Sequence, residues 1–548
     1  MPSLPRTATE VEDAVVTGRP DTTTLAAADF DIDVRTGFLP PSPPVEDLRM
    51  IPEVSGSKWR TWEELLERGR KECWLPPGSG PMAESEMGVR WEEKAKMGTN
   101  WKRDVEGVTM EESDMEAVRT DVRLMRRAYI VLAFVQHFYV HSIDEKFGTS
   151  NTKAGEPELV VPISLGRPFW EVSGRLGLPP VLTYAATVLW NWKFKDPSQG
   201  YVYDNFDIVT TFTPSPSSPE KVSSEAAFYL TSLHVELHSS ALLSHLRLIL
   251  QESFLSDSLS SSRLISSLNA IKALIDQLTM RMKEDVNAVE PGEFYWHIRR
   301  WFNGGRWRFQ QLGEGSEDLV VEMGGPSAGQ STLIHALDLI LGIDHRPRDA
   351  SHSSGDDAVK LPHQAISGAA KMERRESFSS SASEGEEEER IMRRMRERKG
   401  MSLHDKTFMA RMALYMPWHH RQFLIHLSNP VAGQKTLREM ALEDLSLFSS
   451  GGVRNSYNEA VTAMKGFRDE HIRIVARFIV AQARRGRQET EPKEKEKKDE
   501  VVVTVGKGKE KEKLKMKGTG GTDLIRFLKA CRERTVEGII REPVSEEE

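Results

Sequence analysis

Between Glu116 and Ser142 the chain places Val118, Val122, Leu124, Met125, Ala128, Val131, Leu132 and Phe134 at helix-spaced positions. Only an α-helix turns that spacing into one apolar face, and such a face has to be covered by other elements. The longest uninterrupted apolar run, Ala128–Val135, falls short of the ~18 residues that a membrane span needs. The same period continues at intervals. Trp59 to Ser142 reads as helical throughout, Val181–Trp192 resumes the pattern, and Ser223–Ser253 and Ser260–Met282 read as long helices. Phe408–Leu427 and Tyr457–Ala483 are strongly periodic, and an apolar helix follows Gly520-Gly521 within Gly518–Ile540. Hairpin signals are few and no internal repeat occurs. The predicted fold class is mostly α.

Other stretches cannot join a core. The first ~45 residues are polar and rich in Pro and Thr, closing on Phe38-Leu39-Pro40-Pro41-Ser42-Pro43-Pro44, which predicts extended chain. Leu159–Pro162 and Pro179-Pro180 punctuate what reads as a linker. Arg346–Gly400 carries Ser379-Ser380-Ser381 and Glu386–Glu389, and Arg484–Lys517 alternates Lys with Glu. Neither can bury enough apolar area to offset ordering entropy, so both are expected to be mobile. The expected organisation is an extended segment over 1–45 and a small helical domain over 46–160. A large helical domain over 161–483 follows, with the insertion 346–400, then a charged linker over 484–517 and a closing segment over 518–548.

Charge and cysteine content narrow the class. Seventy-four basic against 82 acidic residues give a net charge of −8, which excludes a surface built to cover phosphates, so no nucleic-acid partner is expected. Cys73 and Cys531 cannot form a CxxC site or a disulfide framework, pointing to a reducing compartment. Met1–Thr9 has no apolar core behind Arg6, so no secretory signal is expected. The expectation is a cytoplasmic protein, off the membrane, and a monomer.

Four constellations carry chemistry. Gly324-Gly325-Pro326-Ser327-Ala328-Gly329-Gln330-Ser331 has phosphate-loop spacing between the apolar Leu319–Val321 and a helix starting near Thr332. Gln330 stands where that loop needs its lysine, so nucleotide hydrolysis is set aside, leaving a Gly-rich turn close to a ligand or a plain helix entry. His234 and His238 share a helix face and can hold a metal or form a surface pair. Glu236 comes one position too late for the zincin pattern, about 100° round the helix. His419-His420 is weaker, because adjacent helical residues do not converge. In Tyr457–Ala483 the stripe Val461, Met464, Phe467, His471, Val475, Phe478, Ile479 is interrupted by one histidine. His471 is either a satisfied core histidine or an axial haem ligand, with Arg468 one turn away near a propionate. Phe294–Phe302 interleaves aromatics with Arg299 and Arg300. It reads as an aromatic core helix or as the wall of a pocket for a flat carboxylate ligand.

Read in chain order, further blocks join these: Ile32–Pro40 (IDVRTGFLP), Leu178–Lys193 (LPPVLTYAATVLWNWK), Leu230–Glu236 (LTSLHVE) and Val289–Arg299 (VEPGEFYWHIR). Gly324–Gly342, Tyr415–Pro430 (YMPWHHRQFLIHLSNP), Arg468–Val475 (RDEHIRIV) and Gly518–Lys529 (GTGGTDLIRFLK) complete the series. Together they resemble the indoleamine 2,3-dioxygenases, in a fungal-type version with long insertions. The resemblance implies a two-domain helical fold, a smaller N-terminal domain covering a larger one that holds haem b. It implies oxidative opening of the indole C2–C3 bond of L-tryptophan by O2 to N-formylkynurenine, the first step toward kynurenine and NAD.

By the same resemblance His471 is the iron ligand, supported by Asp338 and Arg468. Ser327 and Ala328 lie in a turn over the haem. Tyr184, Phe228, Ser232, Phe294 and Arg299 fall on pocket positions, with Arg299 taking the substrate carboxylate, Phe294 and Tyr184 packing the ring, and Ser232 a polar contact near O2. Thr519 matches a lid over the ammonium and carboxylate. None of the matched distal positions is a histidine, which argues against peroxidase-like acid–base chemistry. Tyr295 replaces a Phe of the animal enzymes and adds a hydroxyl, Thr187 stands where some carry Cys, and Pro326 lengthens the Gly-rich turn. These departures keep two alternatives open. One is a haem-binding homologue with weak or altered turnover, responding to haem or oxygen. The other is a non-haem metal or nucleotide protein using His234/His238 or Gly324–Ser331.

Overall fold

Helix boundaries in this protein fall where capping groups put them, not where apolar periodicity fades. The computed structural model describes residues 30–73, 84–142, 158–214, 221–255, 259–312, 317–345, 408–428, 435–444, 452–490 and 524–541. The stretch predicted as one helix from Glu116 is two, because the Asp121 carboxylate accepts the Arg123 N–H at 2.7 Å and starts a new helix. Ser223–Ser253 is likewise split after Glu236. There the Ser239 hydroxyl donates to the Glu236 carbonyl at 2.6 Å and accepts the Phe38 N–H at 3.0 Å, so the N-terminal segment wedges into the break. Gly37 makes this possible: it has φ +69°, and a Cβ there would collide with Ser239. Phe408–Leu427 breaks at Pro417, which lacks the N–H needed to continue the ladder.

The resulting helices are α1 (Trp59–Glu72), α2 (Glu84–Glu106), α3 (Glu112–Arg119), α4 (Val122–His141) and α5 (Ile163–Arg175). Then come α6 (Ser224–Glu236), α7 (Ser239–Leu255), α8 (Ser260–Asp285), α9 (Thr332–Ile340), α10 (Phe408–Ala413) and α11 (Trp418–Ser428). The last are α12 (Leu437–Glu443), α13 (Val453–Val475), α14 (Ala481–Thr490) and α15 (Leu524–Glu537). The architecture is mostly α, as the periodicity requires. The acidic-basic stretch expected to be mobile from Arg484 begins as part of α14, and the insertion 346–400 lies outside the described residues.

Two small sheets correct the linker and hairpin expectations. Strand β1 (Glu158–Val161) pairs parallel to β4 (Gly305–Phe309), and β4 pairs antiparallel to β5 (Leu319–Met323). Strands β2 (Trp192–Phe194) and β3 (Phe206–Ile208) form an antiparallel pair. The partner of Leu159 is Trp307, far beyond any local sequence window, so the stretch read as linker was indistinguishable from a strand awaiting pairing.

Apolar packing forms two cores. One joins Trp59, Trp62 and Trp101 to Phe134, Phe169, Trp190, Trp301 and Phe478. The other joins α7, α8 and α9 through Leu246, Leu268, Ile275 and Leu337 to Ala460 and Met464 of α13. Helix α13 therefore runs along the second core as far as Phe467, touches both at Ile474, and delivers Phe478 to the first through the turn beyond its end. His471 sits on the seam between them.

Candidate active site at the seam

Among the described residues three helical turns open to i→i+5 hydrogen bonding: Ala185–Leu189, Phe294–Ile298 and Ala476–Val480. Each inserts one residue into a helical ladder and re-aims the side chains beside it. All three border the same region. Tyr184 caps the first, Phe294 opens the second, and Phe478 of the third packs its ring edge-on against Phe294 at 5.8 Å between centroids. Local periodicity cannot announce such turns, since one residue out of phase still reads as helix.

The Gly-rich segment does lie between a strand and a helix, as its spacing predicts, and joins the first two turns. Gly325 passes so close to the Phe302 carbonyl that any Cβ would collide with it, which seats the segment directly on the turn carrying Arg299. Gln330, standing in the lysine position of a phosphate loop, is buried and holds both ends. Its carbonyl accepts the Tyr184 N–H at 2.8 Å and its amide donates to the Gly325 carbonyl at 2.9 Å. His335 donates from Nε2 to the Gly329 carbonyl at 2.8 Å. Ser327 caps the short turn Ala328–Gln330 through the Gly329 N–H at 3.2 Å, and Ala328 is exposed.

Along α6, Phe228, Ser232 and Glu236 follow one another at four-residue intervals on one face. Phe228 packs against Phe294 at 4.7 Å between centroids and against Phe302 at 6.0 Å, while the Ser232 hydroxyl lies beside that of Tyr184. Tyr184 donates to Glu236 Oε1 at 3.0 Å; burial first, then the neighbouring carboxylate, raises its hydroxyl well above the usual range and keeps it protonated. The Arg299 guanidinium lies 5.7 Å from the Tyr295 ring, and burial pushes it below its ordinary value. A partly desolvated guanidinium against aromatic rings favours a carboxylate partner that offers two oxygens. Tyr295 is half-buried and stacks its edge on the exposed Trp296.

The other side is ionic. Asp338, on α9, accepts two hydrogen bonds of 2.7 Å from Arg468 and one of 2.8 Å from His345. Arg468 also donates to the Thr535 hydroxyl of α15. Despite the cost of burial, the Arg468 guanidinium and His345 hold the Asp338 carboxyl down to about 2. His471 follows Arg468 by one turn, and its ring has no hydrogen-bond partner among the described residues. Burial, with Arg468 adding to it, pushes its imidazole down to about 4, so it is neutral at pH 7 with a free lone pair. The ring nevertheless keeps some accessible surface, which a fully packed core histidine would not.

The remaining candidates are spent elsewhere. His234 Nδ1 pairs with Asp285 at 2.9 Å and its ring stacks on Tyr203 at 3.9 Å, while His238 Nδ1 bonds the His234 carbonyl at 2.9 Å. His420 Nδ1 meets Thr332 at 3.1 Å and its Nε2 meets the Asp31 carbonyl at 3.3 Å. Among the described residues no three His, Cys, Asp or Glu side chains converge as a bare metal ion would need. A metal carried in a macrocycle needs one imidazole, and His471 meets that demand. Thr519 lies outside the described residues. Ser331 closes the Gly-rich loop that its spacing marks, whereas Glu236, His345 and Thr535 carry no motif that points to this region. The spacing of Glu236 from Ser232 was the available signal.

A family model for indoleamine 2,3-dioxygenase matches residues 26–538. The chain belongs to the indoleamine 2,3-dioxygenase family. It is 28% identical to the indoleamine 2,3-dioxygenase of Saccharomyces cerevisiae, over 77% of this chain and 80% of that protein. Indoleamine 2,3-dioxygenase 1 of Rattus norvegicus is 26% identical over 77% of this chain and 81% of its own length. A 6-hydroxytryptophan 2,3-dioxygenase of Fusarium equiseti is 22% identical over 93% of this chain and 97% of its own. The family's enzymes are haem-dependent dioxygenases, so haem b is the cofactor, and the neutral, unbonded imidazole of His471 suits its iron.

Proposed function

We propose that this protein opens the indole C2–C3 bond of L-tryptophan with O2, yielding N-formylkynurenine, with His471 as the iron ligand. The observation that carries the ligand assignment is the His471 ring: partly buried where α13 passes between the two cores, neutral, and without a hydrogen-bond partner among the described residues. Bound haem iron supplies activation of O2 toward the electron-rich indole. Everything else falls to the chain. Phe228, Phe294 and Tyr184 flank the ring and exclude water, and Arg299 takes the carboxylate. Ser232 makes a polar contact near O2, and Tyr184 keeps its proton throughout. Ser327 and Ala328 border the cofactor, and Asp338 and Arg468 hold the helix that presents His471. Thr519, outside the described residues, is assigned to the substrate's ammonium and carboxylate.

Two cysteines that are not joined in a disulfide fit action in the cytoplasm, and the product chemistry fits entry into kynurenine and NAD synthesis, by a monomer. The test is absorbance of the haem-reconstituted, reduced protein with L-tryptophan and air. A Soret band with N-formylkynurenine growing in the near-UV is expected. A Soret band without product overturns the turnover assignment in favour of a haem-binding homologue, and no Soret band overturns the role of His471.

A further inference from the structure

Glu236 is a fully buried carboxylate that the proposed reaction does not use. Its Oε1 accepts two hydroxyls, Tyr184 at 3.0 Å and Ser331 at 2.6 Å. Its Oε2 is buried with no hydrogen-bond partner among the described residues. Because that oxygen carries essentially no accessible surface, no substrate atom can dock on it. Phe228, Ser232 and Arg299, by contrast, keep accessible surface. Glu236 therefore stands behind the pocket wall.

Its two partners lead to different parts of the site. Tyr184 is the cap of an i→i+5 turn, and its ring forms part of the wall beside Ser232. Ser331 is the N-cap of α9, accepting the Ile334 N–H at 3.4 Å, and α9 carries Asp338. An acidic group in a buried site otherwise lined by hydroxyls is costly unless it fixes something, and burial pushes Glu236 up to about 7.

We infer that Glu236 is a positioning residue of the pocket, its carboxyl group clamping the Tyr184 and Ser331 hydroxyls together so that the Tyr184 ring is held against the substrate. This rests on the tryptophan reading of the pocket above.

The experiment compares KM and kcat for L-tryptophan and haem content in the wild type, Glu236→Met, Glu236→Gln, Tyr184→Phe and the Tyr184→Phe/Glu236→Met double variant. Glu236→Met removes both acceptors at similar size and is expected to raise KM about tenfold, the value of one to two buried hydrogen bonds, with haem content unchanged. Glu236→Gln keeps one acceptor oxygen for the two hydroxyls and is expected to stay within about threefold of wild type. Tyr184→Phe alone should reproduce most of the KM rise, and adding Glu236→Met to it should change KM less than about twofold.

Additive effects, an unchanged KM in Glu236→Met, or a loss of haem in step with KM would each overturn the clamp. If Glu236→Met does not fold, Tyr184→Phe decides: a KM within about twofold of wild type overturns the proposal. Absence of wild-type turnover would sink the tryptophan reading itself, a result distinguishable from any of these.

Discussion

The two sides of the seam are built from opposite materials. Around Arg468 the chain uses a buried ion pair, Asp338 with Arg468, extended to His345 and to Thr535 of the last helix. Around Arg299 it uses aromatic faces, Phe228, Phe294, Phe302 and Phe478, with hydroxyls at the back. An ion pair out of water tolerates almost no displacement, because either partner alone would be an uncompensated charge. Aromatic pairs keep favourable offset and edge-on arrangements over a range of centroid distances, so they re-form after small shifts. The side that carries Arg468 and His471 is thus held rigidly, and the side that carries Arg299 can adapt.

Several substitutions would break or sharpen this contrast. His471→Ala should abolish the Soret band while leaving far-UV circular dichroism intact; retention of haem would remove the iron assignment. Arg468→Ala should cost about 3–5 kcal/mol in urea unfolding by stranding Asp338, and weaken haem retention roughly 10–100-fold. Equal losses from Phe294→Leu would erase the distinction between the sides. Arg299→Ala should keep haem and raise KM for L-tryptophan about 10–100-fold, the worth of a charge-assisted hydrogen bond. An unchanged KM would show that Arg299 does not bind the carboxylate.

Acid should act on the aromatic side through His137. This ring donates from Nδ1 to the Trp301 carbonyl at 2.6 Å and accepts the Leu182 N–H on Nε2 at 3.1 Å, an arrangement only the neutral form satisfies. Burial pushes it down to about 3. The unfolded chain therefore takes up a proton near pH 6.5 that the folded chain refuses. Stability is complete above that pH and is lost toward pH 3, by up to about 1.4 kcal/mol per pH unit. His137→Gln should flatten that slope in thermal melts between pH 6.5 and 4; an unchanged slope would assign it to His141, His335 and His420, each pushed down to about 4. Smallest of all, Tyr295→Phe should move KM less than about threefold, since its ring contacts survive.

Much of this was legible in advance. Helix spacing marked α4, α8 and α13, and the interrupted apolar stripe of α13 singled out His471. The Gly-rich stretch was placed correctly between strand and helix, and ordered blocks from Ile32 to Lys529 carried the family. Less legible were the breaks at Asp121 and after Glu236, where one side-chain hydrogen bond outweighs continuing periodicity. The strand Glu158–Val161 escaped because its partner lies far along the chain.

By itself the sequence determined the class of fold and the family, and it marked His471 as the one imidazole interrupting the apolar stripe of α13, since all three depend on residue type and spacing along the chain. Only the tertiary structure decided that Arg468 spends its charge on Asp338 and Thr535, that Gln330 ties Tyr184 to the Gly-rich turn, and that Glu236 accepts the Tyr184 hydroxyl. Those contacts join residues 52 to 146 positions apart, and a hydrogen bond across such a separation leaves no period in the sequence to read.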